Sequence, residues 1–131
     1  MRILRTKKVF VLMGAVLSAA AITAVGIAAV SSQTVLSDGT TLHLRVVKTV
    51  ANDFDSGWHI HPGPVIVQVQ EGSFQLTQGS CTAKTVSAGE TFIEVPYVPV
   101  SGIATGRVVW TTSLLVRAED KLSTPVPSPC P

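Results

Sequence analysis

His59 and His61 stand one residue apart in the stretch GWHIHPGPVIVQVQEG, residues 57–72. On a strand the side-chain period is two, so both rings point to one face and converge on a small ion or ligand. A histidine pair completed only by water is a weak metal site, because structural and catalytic ions are usually held by three or more protein donors. Without a metal, two neutral imidazoles beside a run of valines could hydrogen-bond a small polar ligand, or be satisfied by backbone and water as part of a core. Close together, they would titrate as a coupled pair. No serine nucleophile with a plausible triad, no phosphate-cradling glycine loop and no carboxylate pair placed for sugar hydrolysis accompanies them.

The elements that must position the pair are read from period and punctuation. Pro62-Gly63-Pro64 cannot continue a ladder, since two of the three residues lack a donor, and predicts a corner between strands. Beyond it Val65, Val67 and Val69 share the face expected to be interior. Glu71-Gly72 turns into a strand carrying Phe74 and Leu76, Gln78-Gly79-Ser80 turns again before Cys81, and Ala88-Gly89-Glu90 leads into Thr91–Val95. The last long strand, Arg107–Arg117, places Val108, Trp110, Thr112, Leu114 and Val116 on one side. Upstream, Thr41–Val50 alternates with Leu42, Leu44 and Val46 on one face, leaving His43 on the polar, solvated face. Trp58 and Trp110 are candidates to line a pocket mouth, although aromatic residues on strands are more often ordinary packing; Tyr97, between two prolines, is similar. Short strands about ten residues apart, broken by Gly and Pro turns, predict an all-β sandwich or barrel, with no helical period after the leader.

That leader sets the compartment. Arg2, Arg5, Lys7 and Lys8 precede an uncharged run of 22 residues, Val9 to Val30, which is the pattern of an export signal and is also long enough to span a bilayer. Residues 1–30 are thus expected to be a signal peptide or a membrane anchor, and residues 31–40, where the composition turns to Ser, Thr, Gln, Asp and Gly, a linker. The formal charge of +2 belongs to that leader: four of the ten Lys and Arg lie in it, leaving six against eight acidic residues. Without a basic patch, nucleic acid is not an expected partner. Cys81 and Cys130, an even count in an oxidising compartment, read as one disulfide. It would tie down the proline-rich tail, residues 121–131, across the β body of residues 41–120.

Residues 57–72 resemble the first conserved motif of the cupins, and residues 89–106 look like a divergent second one. The resemblance implies an all-β double-stranded β-helix, a jelly-roll barrel preceded here by the hydrophobic leader, and is strongest to small exported bacterial cupins with a C-terminal cysteine. In the cupin pattern two histidines, a glutamate and a third histidine hold a divalent ion such as Fe, Mn, Zn or Ni. His59 and His61 match the pair. The glutamate position falls on Val65, and Pro99-Val100-Ser101, where the third histidine would stand, contains none. Glu90 and Glu94 lie in or beside the second motif, but the sequence does not settle whether either is aimed inward.

The expected function is therefore an extracytoplasmic, disulfide-stapled cupin-like domain that binds a small molecule, or weakly a divalent metal, through His59 and His61, with Val65, Val67, Val69, Trp58 and Trp110 as pocket lining. Two other readings stay open: a metal-dependent enzyme of the dioxygenase or isomerase type, and a non-catalytic interaction module of the cell envelope. Expected partners are a small-molecule ligand, the membrane through residues 9–30 if the leader is retained, and a second copy of the chain in a homodimer.

Overall fold

The computed structural model describes residues 28–37 and 41–131. Nine strands follow one another: β1 (Ala29–Ser37), β2 (Leu42–Asp55), β3 (His59–Ile60), β4 (Val65–Glu71), β5 (Ser73–Gln78), β6 (Lys84–Ser87), β7 (Thr91–Glu94), β8 (Val100–Arg117) and β9 (Thr124–Pro125). Every pairing among them is antiparallel. No described helix is long and apolar enough to cross a membrane. The leader expected over residues 1–30 lies, up to residue 27, outside the described residues. Where composition suggested a linker over residues 31–40, β1 instead pairs with β2 from Ala29↔Val50 to Ser37↔His43. Cross-strand pairing overrides the polar composition there.

The 18 residues of β8 organise the rest. Straight, such a strand would reach about 60 Å, far beyond a domain of roughly 100 residues, so it must bend. Its first part pairs with β5 (Gln75↔Ile103 to Gln78↔Val100) and its second with β2 and β4 (Val50↔Val109, Val67↔Thr112). Gly106, at φ +75°, makes the corner, and its amide donates to Asp53 Oδ1 at 2.7 Å. Asp53 itself has φ +52°, and the β2–β8 register slips between Asn52 and Phe54. One strand thus serves both halves of a β-sheet folded over a shared core of Val65, Val67, Phe74, Val86, Val100 and Val108.

The inner face of β8 carries Val108, Trp110, Leu114 and Val116, all buried, as the alternation predicts. The expected face of β2 is reversed. Val47, Thr49 and Ala51 lie opposite Thr112, Trp110 and Val108 and share their inward side, whereas Leu42 is 44% exposed. His43, half-buried and opposite Val116, belongs to the inward set of positions rather than the solvated one. The reason is register: β2 has apolar residues on both parities, and only the bulk of β8 beside it decides which faces in. The Pro-Gly-Pro corner packs against the same strand. A Cβ on Gly63 would run into the Leu115 carbonyl oxygen, so only glycine allows this approach.

The tail is ordered by three kinds of contact. Cys130 is bonded to Cys81 with a Cα–Cα distance of 5.6 Å. The β9 strand pairs with β3 through His59↔Pro125 and Ile60↔Thr124, and the Val126 amide donates to the Trp58 carbonyl at 3.0 Å. In the chain-entropy treatment, closing a loop of sequence separation 49 stabilises by up to roughly 4 kcal/mol. Reducing the disulfide, or substituting Cys130→Ser, is expected to lower the melting temperature and to abolish amide-exchange protection at Val126; full protection of that amide after reduction would show that the tail is held without the crosslink.

Candidate functional site

The strand pairings that build the barrel bring one carboxylate to the histidine pair. His59 sits between Val100 of β8 and Pro125 of β9, and His61 follows two residues later, its own carbonyl accepting from the Tyr97 amide at 2.9 Å. Glu94, the last residue of β7, lies directly opposite Val65 of β4. Opposed residues of an antiparallel pair point to the same face. The carboxylate that β4 lacks at Val65 is therefore delivered to the same interior from the adjacent strand. One donor atom from each of His59, His61 and Glu94 lies within 4.8 Å of the others.

Hydrogen bonding dictates how the rings are used. A peptide carbonyl can only accept, so the ring nitrogen facing it must carry the proton. His59 Nδ1 donates to the Gly57 carbonyl at 3.0 Å, and His61 Nδ1 donates to the Leu122 carbonyl at 2.6 Å. In the neutral rings this leaves the lone pair on Nε2 of each. His61 Nε2 stands 2.9 Å from Glu94 Oε2, yet the two are not aligned as a hydrogen bond, and Nε2 is a buried atom without a hydrogen-bond partner. Only 8% of either residue is exposed. A carboxylate held against an unprotonated, unpartnered ring nitrogen in a buried site is costly unless a proton or a cation satisfies both. An imidazole nitrogen and a carboxylate oxygen bound to one ion at about 2.0–2.2 Å each come within roughly 3 Å of one another, which the observed separation matches. The donor set thus fits a divalent cation.

The proton is the competing cation. Burial on its own lowers the His61 pKa, and the nearby Glu94 carboxylate and then the Leu122 carbonyl more than offset it, raising the pKa above the ordinary 6.5.

The two rings are nearly perpendicular, with centroids 4.8 Å apart. They open onto a cavity of about 260 Å³ lined mainly by apolar side chains, among them Val65, Val67, Trp110 and Leu122. Phe54, Phe74 and Trp110 pack edge-on or tilted with centroids 4.9–6.0 Å apart, and give it a stiff aromatic wall. Of the residues the sequence singled out as lining, Val65, Val67 and Trp110 face this space. Val69 is buried in the core without lining it. Trp58 borders an adjoining groove, together with Asp55, Gly57 and Pro125, that shares Phe54, Ser56 and His59 with the cavity. Glu90 is spent elsewhere, its carboxylate accepting from the Ser87 amide at 2.7 Å.

Two functional groups escaped the sequence. Glu94 was legible only as a nearby carboxylate, although its alternation with Phe92 in Thr91–Glu94 carried the signal: if Phe92 packs inside, so does Glu94. The Leu122 carbonyl has no side-chain signature at all.

No protein-family model and no curated protein matches the chain. Solved structures do resemble it. A crystal structure of DMSP lyases superposes with a TM-score of 0.54 at 19% identity, covering 64% of this chain and 44% of that one, so this chain spans less than half of the lyase. KdgF from a Halomonas species gives 0.52 at 16% identity, covering 67% and 79% of the two chains. A conserved protein with a double-stranded β-helix domain from Klebsiella pneumoniae gives 0.51 at 19% identity, covering 68% and 80%. At such identities the likeness is one of fold, the fold that the two sequence motifs imply.

Because the folded-state pKa of His61 is the higher one, its contribution to stability is complete below pH 6.5 and is lost as pH rises through the raised value. Chelator-treated protein is expected to lose stability over that interval in thermal melts, and Glu94→Gln is expected to flatten the dependence. An unchanged pH profile in that variant would contradict the pairing.

Proposed function

For this cupin-fold chain we propose the role of a divalent-metal-binding domain, in which His59, His61 and Glu94 hold the ion against a largely apolar, partly open cavity that receives a small molecule. The observation that carries this reading is the buried Nε2 of His61, 2.9 Å from Glu94 Oε2 with no aligned hydrogen bond. A bound ion would supply Lewis-acid polarisation of a ligand oxygen. The chain's own groups do the rest. The Gly57 and Leu122 carbonyls fix which nitrogen of each ring faces inward, the kind of outer partner that sets ligand basicity and orientation. The apolar wall excludes water, which strengthens every electrostatic interaction at the triad.

Imidazole with a single carboxylate suits zinc, iron, manganese or nickel. The disulfide supports a place outside the cytoplasm, in keeping with the basic, apolar leader. A buried donor set facing a cavity supports ligand binding over a purely structural body.

Protein purified without chelator or affinity tag is expected to retain near-stoichiometric metal by elemental analysis. Glu94→Gln, which keeps the shape and removes the charge, is expected to weaken Zn²⁺ binding roughly 10- to 100-fold in competition with a chromogenic chelator. His59→Ala with His61→Ala should abolish it. Equal affinity in the Glu94→Gln protein would remove the carboxylate from the site.

A further inference from the structure

The cavity's composition restricts what it can hold. Of its sixteen lining residues ten are Val, Leu, Phe or Trp, and none is Lys or Arg. Outside the triad the polar lining side chains are Ser56 and Thr112. Both are engaged: Ser56 Oγ donates to the Gly57 carbonyl at 2.8 Å and accepts from the Gly102 amide at 2.9 Å, and Thr112 Oγ1 donates to the Val47 carbonyl at 3.4 Å. A ligand with hydroxyls along its length would leave those turned toward the apolar wall desolvated and unpaired, at a penalty for each. Sugars and nucleotides are disfavoured on this ground.

Charge and size define what fits. Two neutral imidazoles and one carboxylate offset a divalent ion by one unit, leaving a net single positive charge that suits a monoanionic head. A cavity of about 150 Å³ takes benzene, so the 260 Å³ found here corresponds to roughly ten non-hydrogen atoms. Building on the metal reading above, we infer that the ligand is a small, predominantly aromatic or branched-hydrocarbon molecule whose polar atoms are gathered at one end as a singly charged oxygen chelate. Its body rests against Phe54, Phe74, Trp110 and Val67, and its head meets the ion at the triad. Recognition is thus divided: the head is selected by charge and coordination, the body by exclusion of water.

Probe molecules separate the two halves. Metal retention after dialysis against Zn²⁺ is measured first, and calorimetric titrations of the disulfide-intact protein follow. With zinc bound, benzohydroxamate is expected to bind at least roughly tenfold tighter than acetohydroxamate, which keeps the chelating head and lacks the ring. It should exceed by a similar factor N-methylbenzamide, which keeps the ring and lacks the chelate; glucuronate should neither bind nor compete. Equal affinity for the two hydroxamates, or displacement by glucuronate, overturns the inference. Failure to retain zinc counts against the metal reading alone: N-methylbenzamide binding to the metal-free protein would then still support the apolar class, and its absence would overturn it. Val67→Phe, which fills the cavity, should reduce benzohydroxamate to the level of acetohydroxamate, and the probe ranking on the unmodified chain decides the matter whether or not that variant folds.

Discussion

The structure turns on the imidazole of His61, caught between a group that can only accept a proton and a group that carries negative charge. The Leu122 carbonyl claims the Nδ1 proton at 2.6 Å, and Glu94 faces the opposite nitrogen at 2.9 Å. His61 and Glu94 are both buried, so water relaxes the conflict between them only at a cost. A positive charge at Nε2, whether proton or metal, resolves it. Everything that fixes these three groups relative to one another therefore sets the chemistry: the pairing of β7 with β4, the bend of β8, and the ordered tail.

The tail's part in this is easily missed. Leu122 contributes a carbonyl to His61 and a side chain to the cavity wall, and only eight residues downstream Cys130 is crosslinked to Cys81. Pairing of β9 with β3 places the same segment beside His59. A proline-rich terminus, which would ordinarily fray, becomes the outer support of the donor set. Stability and site geometry here share one covalent constraint.

How much of this was legible in the sequence varies with the range of the interactions involved. Period-two alternation identified the valine face of β4 and the inner face of β8, because one parity dominates in each: Val65, Val67 and Val69 against Ile66 alone, and Val108, Trp110, Leu114 and Val116 against Val109 and Leu115. It reversed β2, where both parities carry apolar residues and the neighbouring strand makes the choice. The histidine pair was visible because its residues are adjacent. Its third donor was not, because Glu94 is 33 positions from His61 and reaches it only through the register Val65↔Glu94. Val65 made the first motif look incomplete, yet the residue paired with it supplies the missing group. Trp58, next in sequence to the pair, borders the adjoining groove that shares Phe54, Ser56 and His59 with the cavity rather than lining the cavity itself.

The account stands or falls on whether one cation joins groups from β3 and β7. Crystals of the metal-loaded protein, measured on both sides of the metal's absorption edge, test this most directly. A single anomalous peak within coordination distance of His59 Nε2, His61 Nε2 and the Glu94 carboxylate is the result expected. Clear density showing His61 Nε2 hydrogen-bonded to Glu94 with no such peak between them, or an ion bound only at surface carboxylates, would contradict it.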